Sequence, residues 1–96
     1  MFNVTILYPK TDDSTFDIDY YKSTHMPMLV DALGDACQSW GAAKVSSGKY
    51  EAFGWALVDS LDAFNAAMAA HGAEIIGDVA NYTNVAPVLV VGDVVK

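Results

Sequence analysis

The chain has 96 residues, enough for one domain, and 53% of them are hydrophobic, which is a high share for so short a soluble chain. It carries five Lys, no Arg and twelve acidic residues, for a net charge of −7. This charge balance argues against a nucleic-acid or anionic-membrane partner, and no apolar stretch approaches the ~20 residues of a membrane span.

The hydrophobic surplus exceeds what a chain of this length can bury, so we expect a homodimer whose interface takes up the remainder. The single cysteine, Cys37, rules out an intrachain disulfide and fits a reducing compartment. The first residues lack the basic segment and the long apolar segment of a signal peptide. We therefore predict a cytoplasmic protein with one domain, residues 1–96.

Four strands and two helices are predicted, in the order βαββαβ. Apolar residues in alternation or in unbroken runs mark the strands, and N-cap residues before helically spaced apolar residues mark the helices. The predicted strands are Phe2–Tyr8, Cys37–Ser46, Tyr50–Val58 and Ala86–Val94, and the predicted helices run from Asp17 to about Leu33 and from Leu61 to about His71. Gly34 and Gly72 are expected to end the helices, and residues 74–84 to be irregular.

This order is that of the ferredoxin-like fold, an α+β arrangement in which two helices pack on one face of a four-stranded antiparallel sheet. The final predicted strand is apolar on both faces, so both faces are expected to be covered. A second subunit on the face that the helices leave bare would cover it and complete a dimeric α/β barrel.

The first helix is predicted to carry an imidazole on its buried face. Positions i and i+4 of a helix share one side, which places Tyr21, His25 and Leu29 in one apolar stripe. Pro27 removes the bond to the Ser23 carbonyl and should bend the helix near His25. We predict that His25 is a catalytic acid or base and that Tyr21 holds a substrate oxygen or tunes His25. The alternatives are a structural histidine, bonded to a freed carbonyl or to the Tyr21 hydroxyl, and a tyrosine that is simply core.

Further residues are candidates for substrate binding. Small residues on strands two and three should leave volume above the sheet, which helix side chains fill or which stays open as a pocket. These small residues are Gly41 and Ala43, and Ala52, Gly54 and Ala56. Asp78 or Asn81 would orient His25 or a substrate hydroxyl, unless each only satisfies its own loop backbone. The residues predicted to bind substrate are Tyr8, Trp40, Trp55, Asp78, Asn81 and Thr83.

Metal and haem sites are disfavoured. His25 and Met28, like Met68 and His71, are three residues apart, a spacing that soft metals use, but no carboxylate stands at a matching position and Met is common core filler. A helix histidine could bind haem iron, but no arginine is present to meet the propionates. We predict no metal and no cofactor.

Taken together, the motifs resemble the EthD family, the dimeric α/β-barrel proteins named for ethyl tert-butyl ether degradation. The resemblance spans nearly the whole chain. The residues that carry it are Phe16, Tyr20-Tyr21 and His25-Met26-Pro27 early in the chain, and Asp78, Asn81-Tyr82-Thr83 and Pro87 before the last strand. It implies the fold, a dimer and a small apolar ligand site. Family members are associated with oxidative degradation pathways, and relatives in the wider barrel class include cofactor-free monooxygenases, isomerases and haem peroxidases.

We accordingly predict a cofactor-free enzyme, an oxidoreductase of monooxygenase type or an isomerase, acting on a small apolar or aromatic molecule. His25 would move a proton, with Tyr21 and Asn81 on the oxygen that gains charge. The alternative is a non-catalytic dimer that binds a small ligand or assists a partner enzyme. Both functions use the same fold, so the residue pattern does not separate them.

Overall fold

A four-stranded antiparallel sheet in the order β2-β3-β1-β4 forms the centre of the computed structural model, which describes all of residues 1–96. The predicted ferredoxin-like arrangement, with its helices on one face of this sheet, is confirmed. The strands are β1 (Phe2–Pro9), β2 (Cys37–Lys44), β3 (Tyr50–Val58) and β4 (Val88–Asp93). No helix is long and apolar enough to cross a membrane.

Residues 18–33 form one helical segment that widens in its middle. Its parts are α1 (Ile18–Tyr20), a π turn (Tyr21–His25) and α2 (Met26–Leu33). Asp17 caps the segment, since its side chain accepts a hydrogen bond from the Tyr20 N–H. The expected bend takes the form of the π turn: the Met26 N–H bonds to the Tyr21 carbonyl, and Pro27, which follows, has no N–H with which to restore the α pattern.

The second long helix, α3 (Leu61–Gly77), runs beyond its predicted end at His71. Gly72 does not stop it, because this glycine is buried within the helix, lies against Met68 and has no positive φ. Part of the segment predicted to be irregular is therefore helical, and a 3₁₀ turn at Val79–Asn81 follows. The N-terminal prediction is confirmed, with the Ser60 hydroxyl accepting from the Ala63 N–H.

Two strands are shorter than predicted. β2 ends at Lys44 instead of Ser46, because the connection to β3 needs the positive φ of Gly48, +121°, and the residues around it. β4 begins at Val88 instead of Ala86 and ends at Asp93 instead of Val94. Pro87 has no N–H to donate to a ladder, so pairing begins directly after it.

The small residues of β2 and β3 lie on opposite faces of the sheet, so they do not leave one common volume above it. Gly41 pairs with Trp55 on the face away from the helices, and the Trp55 ring fills the space beside Gly41. Gly54 lies on the helix-facing side, where the Tyr21 hydroxyl and the Met26 sulfur fill the corresponding space. Both volumes are therefore occupied by side chains.

The sheet face away from the helices, here called the bare face, is mostly apolar, and its residues are partly buried or exposed. Asn3 and Thr5 of β1 lie on it among the apolar residues Leu7, Phe53, Trp55, Leu57, Val88 and Val90. β4 is exposed along its whole length in the single chain. The prediction left one of its faces to a second subunit, but the helices do not cover its other face either. The reason is its place at the sheet edge, since α2 packs on β2 and β3, and α3 packs on β3.

Candidate functional site

An apolar cavity of about 200 Å³ lies between the helices and the sheet. β1, α2, α3 and the start of β4 supply its walls, and every lining residue except His25 and Pro87 is hydrophobic. The lining residues whose side chains contain polar atoms are His25 and Tyr8. An ionisable group in an apolar cavity is a frequent mark of a binding or active site.

A larger and more open groove, of about 620 Å³, lies beside the start of the first helical segment. Asp17, Asp19 and Asn84 are exposed there, and no histidine lines it. We assign the candidate site to the smaller cavity, because only the smaller one combines an apolar wall with a buried group that can exchange protons.

His25 is held by a carboxylate that arrives from the far end of the chain. Its Nδ1 lies 2.9 Å from Oδ2 of Asp78, the residue that follows α3, and the two side chains are 4% and 10% exposed. An ionised carboxylate has no hydrogen to give, so Nδ1–H donates and Nε2 keeps its lone pair. Nε2 makes no hydrogen bond within the protein. It is also not sealed off from the surroundings, because the one fully enclosed side-chain polar atom that lacks a hydrogen bond is the Tyr21 hydroxyl. With His25 in the cavity wall, Nε2 is open to a ligand.

Asp78 receives two further hydrogen bonds. The Tyr20 hydroxyl donates to Oδ1 at 2.7 Å, and Nδ2 of Asn81 donates to the same oxygen at 2.9 Å. Burial opposes ionisation of Asp78, but the bonds from Tyr20, Asn81 and His25 outweigh it and hold the pKa of the carboxyl below its usual value. The site therefore contains a carboxylate at neutral pH.

Burial lowers the pKa of His25, and the bond to Asp78 offsets part of this effect. At neutral pH the imidazole is accordingly neutral and can accept a proton at Nε2. This is the protonation state that a general base requires, and the carboxylate at Nδ1 would stabilise the imidazolium formed.

Aromatic rings enclose the imidazole. The Tyr21 ring stacks on it at a centroid distance of 5.6 Å and an angle of 15°, and the Tyr82 ring lies 4.5 Å away at 54°. The hydroxyls of Tyr8 and Tyr82 are 2.6 Å apart. Burial raises the pKa of Tyr8, Tyr21 and Tyr82, so all three remain neutral phenols.

Solved structures similar to the chain decide its family. An EthD-like protein from Ralstonia eutropha JMP134 is 42% identical, with a TM-score of 0.89, over 99% of this chain and 92% of that one. The chain belongs to the EthD family. The predicted resemblance is thus confirmed, although no protein-family model matches the sequence and no curated protein does.

Two more distant structures share the fold of this EthD-family protein. One is an EthD family protein from Bacillus halodurans C-125, 15% identical, with a TM-score of 0.65 and coverage of 98% of both chains. The other is a dimeric ferredoxin-like protein from Thermobifida fusca YX, 15% identical, with a TM-score of 0.65 over 97% of this chain and 90% of that one.

Several predicted site residues of the EthD-family chain meet around His25. Tyr8 lines the cavity with His25, Asp78 bonds to the imidazole, and Asn81 bonds to Asp78 rather than standing at the cavity itself. Tyr21 stacks on His25, but its hydroxyl points to Gly54, so it does not line the cavity.

Three predicted residues lie elsewhere. Trp55 is on the bare face, and Trp40, 40% exposed, is on β2 away from the cavity lining. The hydroxyl of Thr83 donates to the carbonyl of Thr15 at 2.6 Å, beside the bridge that joins Phe16 to Thr83. Thr83 thus ties two loops together in the structure.

Tyr20 and Tyr82 are part of the site and had no predicted role. Helical spacing puts Tyr20 off the apolar stripe of Tyr21 and His25, and its partner Asp78 is 58 residues away. Tyr82 lies between two residues that were singled out, Asn81 and Thr83, but only the folded chain brings its ring to His25. The resemblance motif, which includes both tyrosines, was the one signal that pointed to them.

Proposed function

We propose that this EthD-family protein is a proton-transfer enzyme, acting on a small, uncharged and largely apolar molecule that carries an oxygen. The observation that supports this best is His25 itself. Its Nδ1 is bound to Asp78 at 2.9 Å while the ring lines an apolar cavity of about 200 Å³. A base oriented by a carboxylate and open to a cavity is the arrangement that general-base catalysis uses.

The cavity limits the substrate in size and charge. Pockets for drug-sized ligands measure roughly 300–1,000 Å³, and about 200 Å³ suits a single ring or a short branched chain. All five Lys side chains are exposed and none lines the cavity, and the chain has no Arg. A carboxylate or phosphate would find no cation there, so an uncharged ketone or phenol fits better.

His25 would take the proton from an acidic C–H or O–H of such a molecule. The substrate bond to hydrogen breaks, its electron pair stays on the substrate, and the proton forms a bond to Nε2. The ionised Asp78 then stabilises the imidazolium through Nδ1. The burial that lowers the pKa of His25 keeps it neutral, and so ready for this step, near pH 7.

The phenol pair would hold the oxygen that gains negative charge. The bond between the Tyr8 and Tyr82 hydroxyls allows either of them as the donor, and with Tyr82 as the donor the hydrogen of Tyr8, which lines the cavity, has no protein acceptor. A donor at the cavity wall can serve the substrate oxygen in the charged state. Return of the proton to a different atom would complete an isomerisation, and transfer of electrons from the same anion to O₂ would make the protein an oxidoreductase.

Catalysed hydrogen–deuterium exchange tests the proposal directly. Cyclohexanone is incubated with the protein in D₂O, and loss of its α-hydrogens is followed by NMR. We expect the wild type to accelerate exchange and His25→Gln to lower the catalysed rate by a factor of about 10²–10⁴. His71→Gln is the matched control, because His71 is exposed on α3. Equal rates for the wild type and His25→Gln would contradict the proposal.

A non-catalytic ligand-binding protein is the second candidate. It is favoured by the scarcity of polar groups in the cavity, since His25 and Tyr8 would suffice to hold one oxygen of a bound molecule. Cyclohexanone would then perturb the His25 NMR signals of the wild type, while its α-hydrogens would exchange no faster than in buffer. The same sample therefore separates binding from catalysis.

We also propose that the protein is a homodimer joined through the bare face. The partly buried apolar residues of this face support it, because packing against a second copy would remove them from water. The likeness in fold to a dimeric protein from Thermobifida fusca YX supports it further. A cytoplasmic location stays a prediction.

A further inference from the structure

We propose that Tyr20 is a positioning residue of this site, whose hydroxyl fixes the Asp78 carboxylate so that Oδ2 faces His25. This role rests on the proposed function of His25 as a base. Tyr20 is not among the residues that line the cavity, so it would act on the substrate only through Asp78 and His25.

The hydrogen bonds divide the two oxygens of Asp78 between two tasks. Oδ1 accepts from Tyr20 at 2.7 Å and from Asn81 at 2.9 Å, and Oδ2 accepts from His25 at 2.9 Å. A carboxylate is planar, so holding Oδ1 in place also sets the direction of Oδ2. Without a bond at Oδ1, the carboxylate could rotate and its bond to the imidazole would weaken.

Tyr20 contributes something that Asn81 cannot. Asn81 is three residues from Asp78 in the same short segment, so their bond moves with that segment, and Asn81 reaches the helical segment only through a long contact of 3.5 Å with the Tyr20 hydroxyl. Tyr20 is 58 residues from Asp78 and ends α1, directly before the π turn that carries His25. Its hydroxyl therefore fastens the segment of Asp78 to the helical segment of His25.

The Tyr20 side chain is itself held in place. Its N–H donates to Oδ1 of Asp17 at 3.1 Å, which fixes the backbone at the start of the segment. Its ring stacks on that of Tyr82 at a centroid distance of 6.1 Å and an angle of 22°. With backbone and ring both constrained, the hydroxyl is presented to Asp78 in one orientation.

The chemical consequence concerns the tautomer of His25. The bond to Asp78 selects the Nδ1–H form and leaves the Nε2 lone pair open to the cavity. If the carboxylate turns away, the Nε2–H form gains population, and that form cannot accept a proton from a substrate. Tyr20 would thus decide what fraction of the protein carries a usable base.

Nitrogen-15 NMR of the histidine ring measures this fraction. Spectra of the wild type, Tyr20→Phe and Tyr50→Phe are compared at about pH 8, where an ordinary histidine is neutral. We expect the Nδ1–H form of His25 to predominate in the wild type and in Tyr50→Phe, and the Nε2–H form to increase in Tyr20→Phe. Tyr50 is the matched control, because it is an exposed tyrosine whose hydroxyl makes no hydrogen bond.

The kinetic counterpart is a fall in kcat with an unchanged KM. For cyclohexanone exchange we expect Tyr20→Phe to lose about tenfold in kcat, the effect of one hydrogen bond to a charged group. In an Asp78→Asn background the same substitution should cost nothing further, because its target is already gone. A rise in KM at constant kcat would instead mean that Tyr20 touches the substrate, and would overturn the inference.

The two hypotheses fail in different ways. An unchanged His25 tautomer in Tyr20→Phe, with a shift appearing only in Asn81→Ala, would overturn the role of Tyr20. No exchange by the wild type, together with a tautomer shift in Tyr20→Phe, would remove the proposed enzyme and keep Tyr20 as the residue that orients Asp78 and His25. Circular dichroism of each variant checks that the fold is retained.

Discussion

The two faces of the sheet contain similar residues in different surroundings. On the helix-facing side, Tyr8, Tyr21 and His25 are almost fully enclosed, and Asp78 accepts hydrogen bonds from His25 and from two further side chains. On the bare face, Trp55 and its neighbours are only partly buried. Burial shifts protonation equilibria, and partial exposure of apolar surface favours association. The closed side thus suits chemistry and the bare face suits assembly.

Two glycines on neighbouring strands show the same contrast at the level of one residue. A side chain at Gly54 would collide with the Tyr21 hydroxyl, which is fully buried. A side chain at Gly41 would collide with the ring of Trp55, which is partly exposed and can tilt. The same residue type thus has a rigid neighbour on one face and an adaptable one on the other.

The largest effect on activity is expected from Asp78→Asn, which removes a charge from the helix-facing side and leaves the bare face unchanged. Loss of the carboxylate leaves the imidazolium unstabilised and lets the wrong tautomer form, so cyclohexanone exchange should fall by about 10²–10⁴. Asp35→Asn, at an exposed position, is the control. If Asp78→Asn exchanges as fast as this control, Asp78 has no part in the reaction.

Next in size is Trp55→Glu, which acts on the bare face alone. A charge at the centre of an apolar interface is costly to bury, so the wild type should be a dimer and the variant a monomer by light scattering after size-exclusion chromatography. Cyclohexanone exchange per chain should persist, since Trp55 does not line the cavity. A variant that stays dimeric would show that the subunits meet elsewhere.

Gly54→Ala and Gly41→Ala should differ in stability. Overpacking against the Tyr21 hydroxyl is expected to lower the free energy of unfolding of Gly54→Ala by about 1–3 kcal/mol. Gly41→Ala should lose less at a protein concentration low enough to keep the chain monomeric, because the Trp55 ring is then partly exposed and can move. Urea unfolding at one protein concentration measures both, since concentration affects the stability of a dimer. Equal losses would mean that the two faces are equally rigid.

The smallest effect is a loss of folding stability as the pH falls. Because burial lowers the pKa of His25, the folded protein binds this proton less readily than the unfolded chain. The resulting stability is fully present above the ordinary pKa of 6.5 and is lost as the pH falls below it. The carboxyl of Asp78, with its lowered pKa, loses its contribution only below 3.8. Urea midpoints from about pH 7 to 5 should fall in the wild type and less steeply in His25→Gln; parallel slopes would contradict this assignment.

Local signals in the sequence predicted most of the fold. Alternation predicted β1 and β3, and the cap at Asp17 and the stop at Gly34 bounded the first helical segment correctly. Gly72 was wrongly predicted to end the second helix, because a glycine after an apolar stripe is only a local signal. In the structure Gly72 lies against Met68 inside α3, and the helix continues past it. A residue's neighbours along the chain do not reveal such packing.

Which residues of β2 share a face with those of β3 depends on the register of the two strands. Lys44 pairs with Ala52, which puts Gly41 on the same side as Trp55. A slip of one residue would have reversed every assignment on β2, and the sequence contains nothing that sets this register in advance.

The sequence singled out His25 but left its partner open between Asp78 and Asn81. The apolar stripe was sufficient to single out His25, because a buried imidazole is uncommon. Its bond to Asp78 spans 53 residues, and the bond of Tyr20 to Asp78 spans 58. Contacts at such separations follow from the tertiary fold, so helical spacing could neither select Asp78 over Asn81 nor find Tyr20.

The π turn decides which residues of the first helical segment share a side. In an α-helix, two residues five positions apart lie about 140° apart around the axis. Tyr20 and His25 are five positions apart, and the π turn between them has more residues per turn, so that both side chains reach Asp78. A change that let the unshortened segment close as a regular α-helix would turn Tyr20 and His25 away from each other, although every residue of the hydrogen-bonded group would still be present.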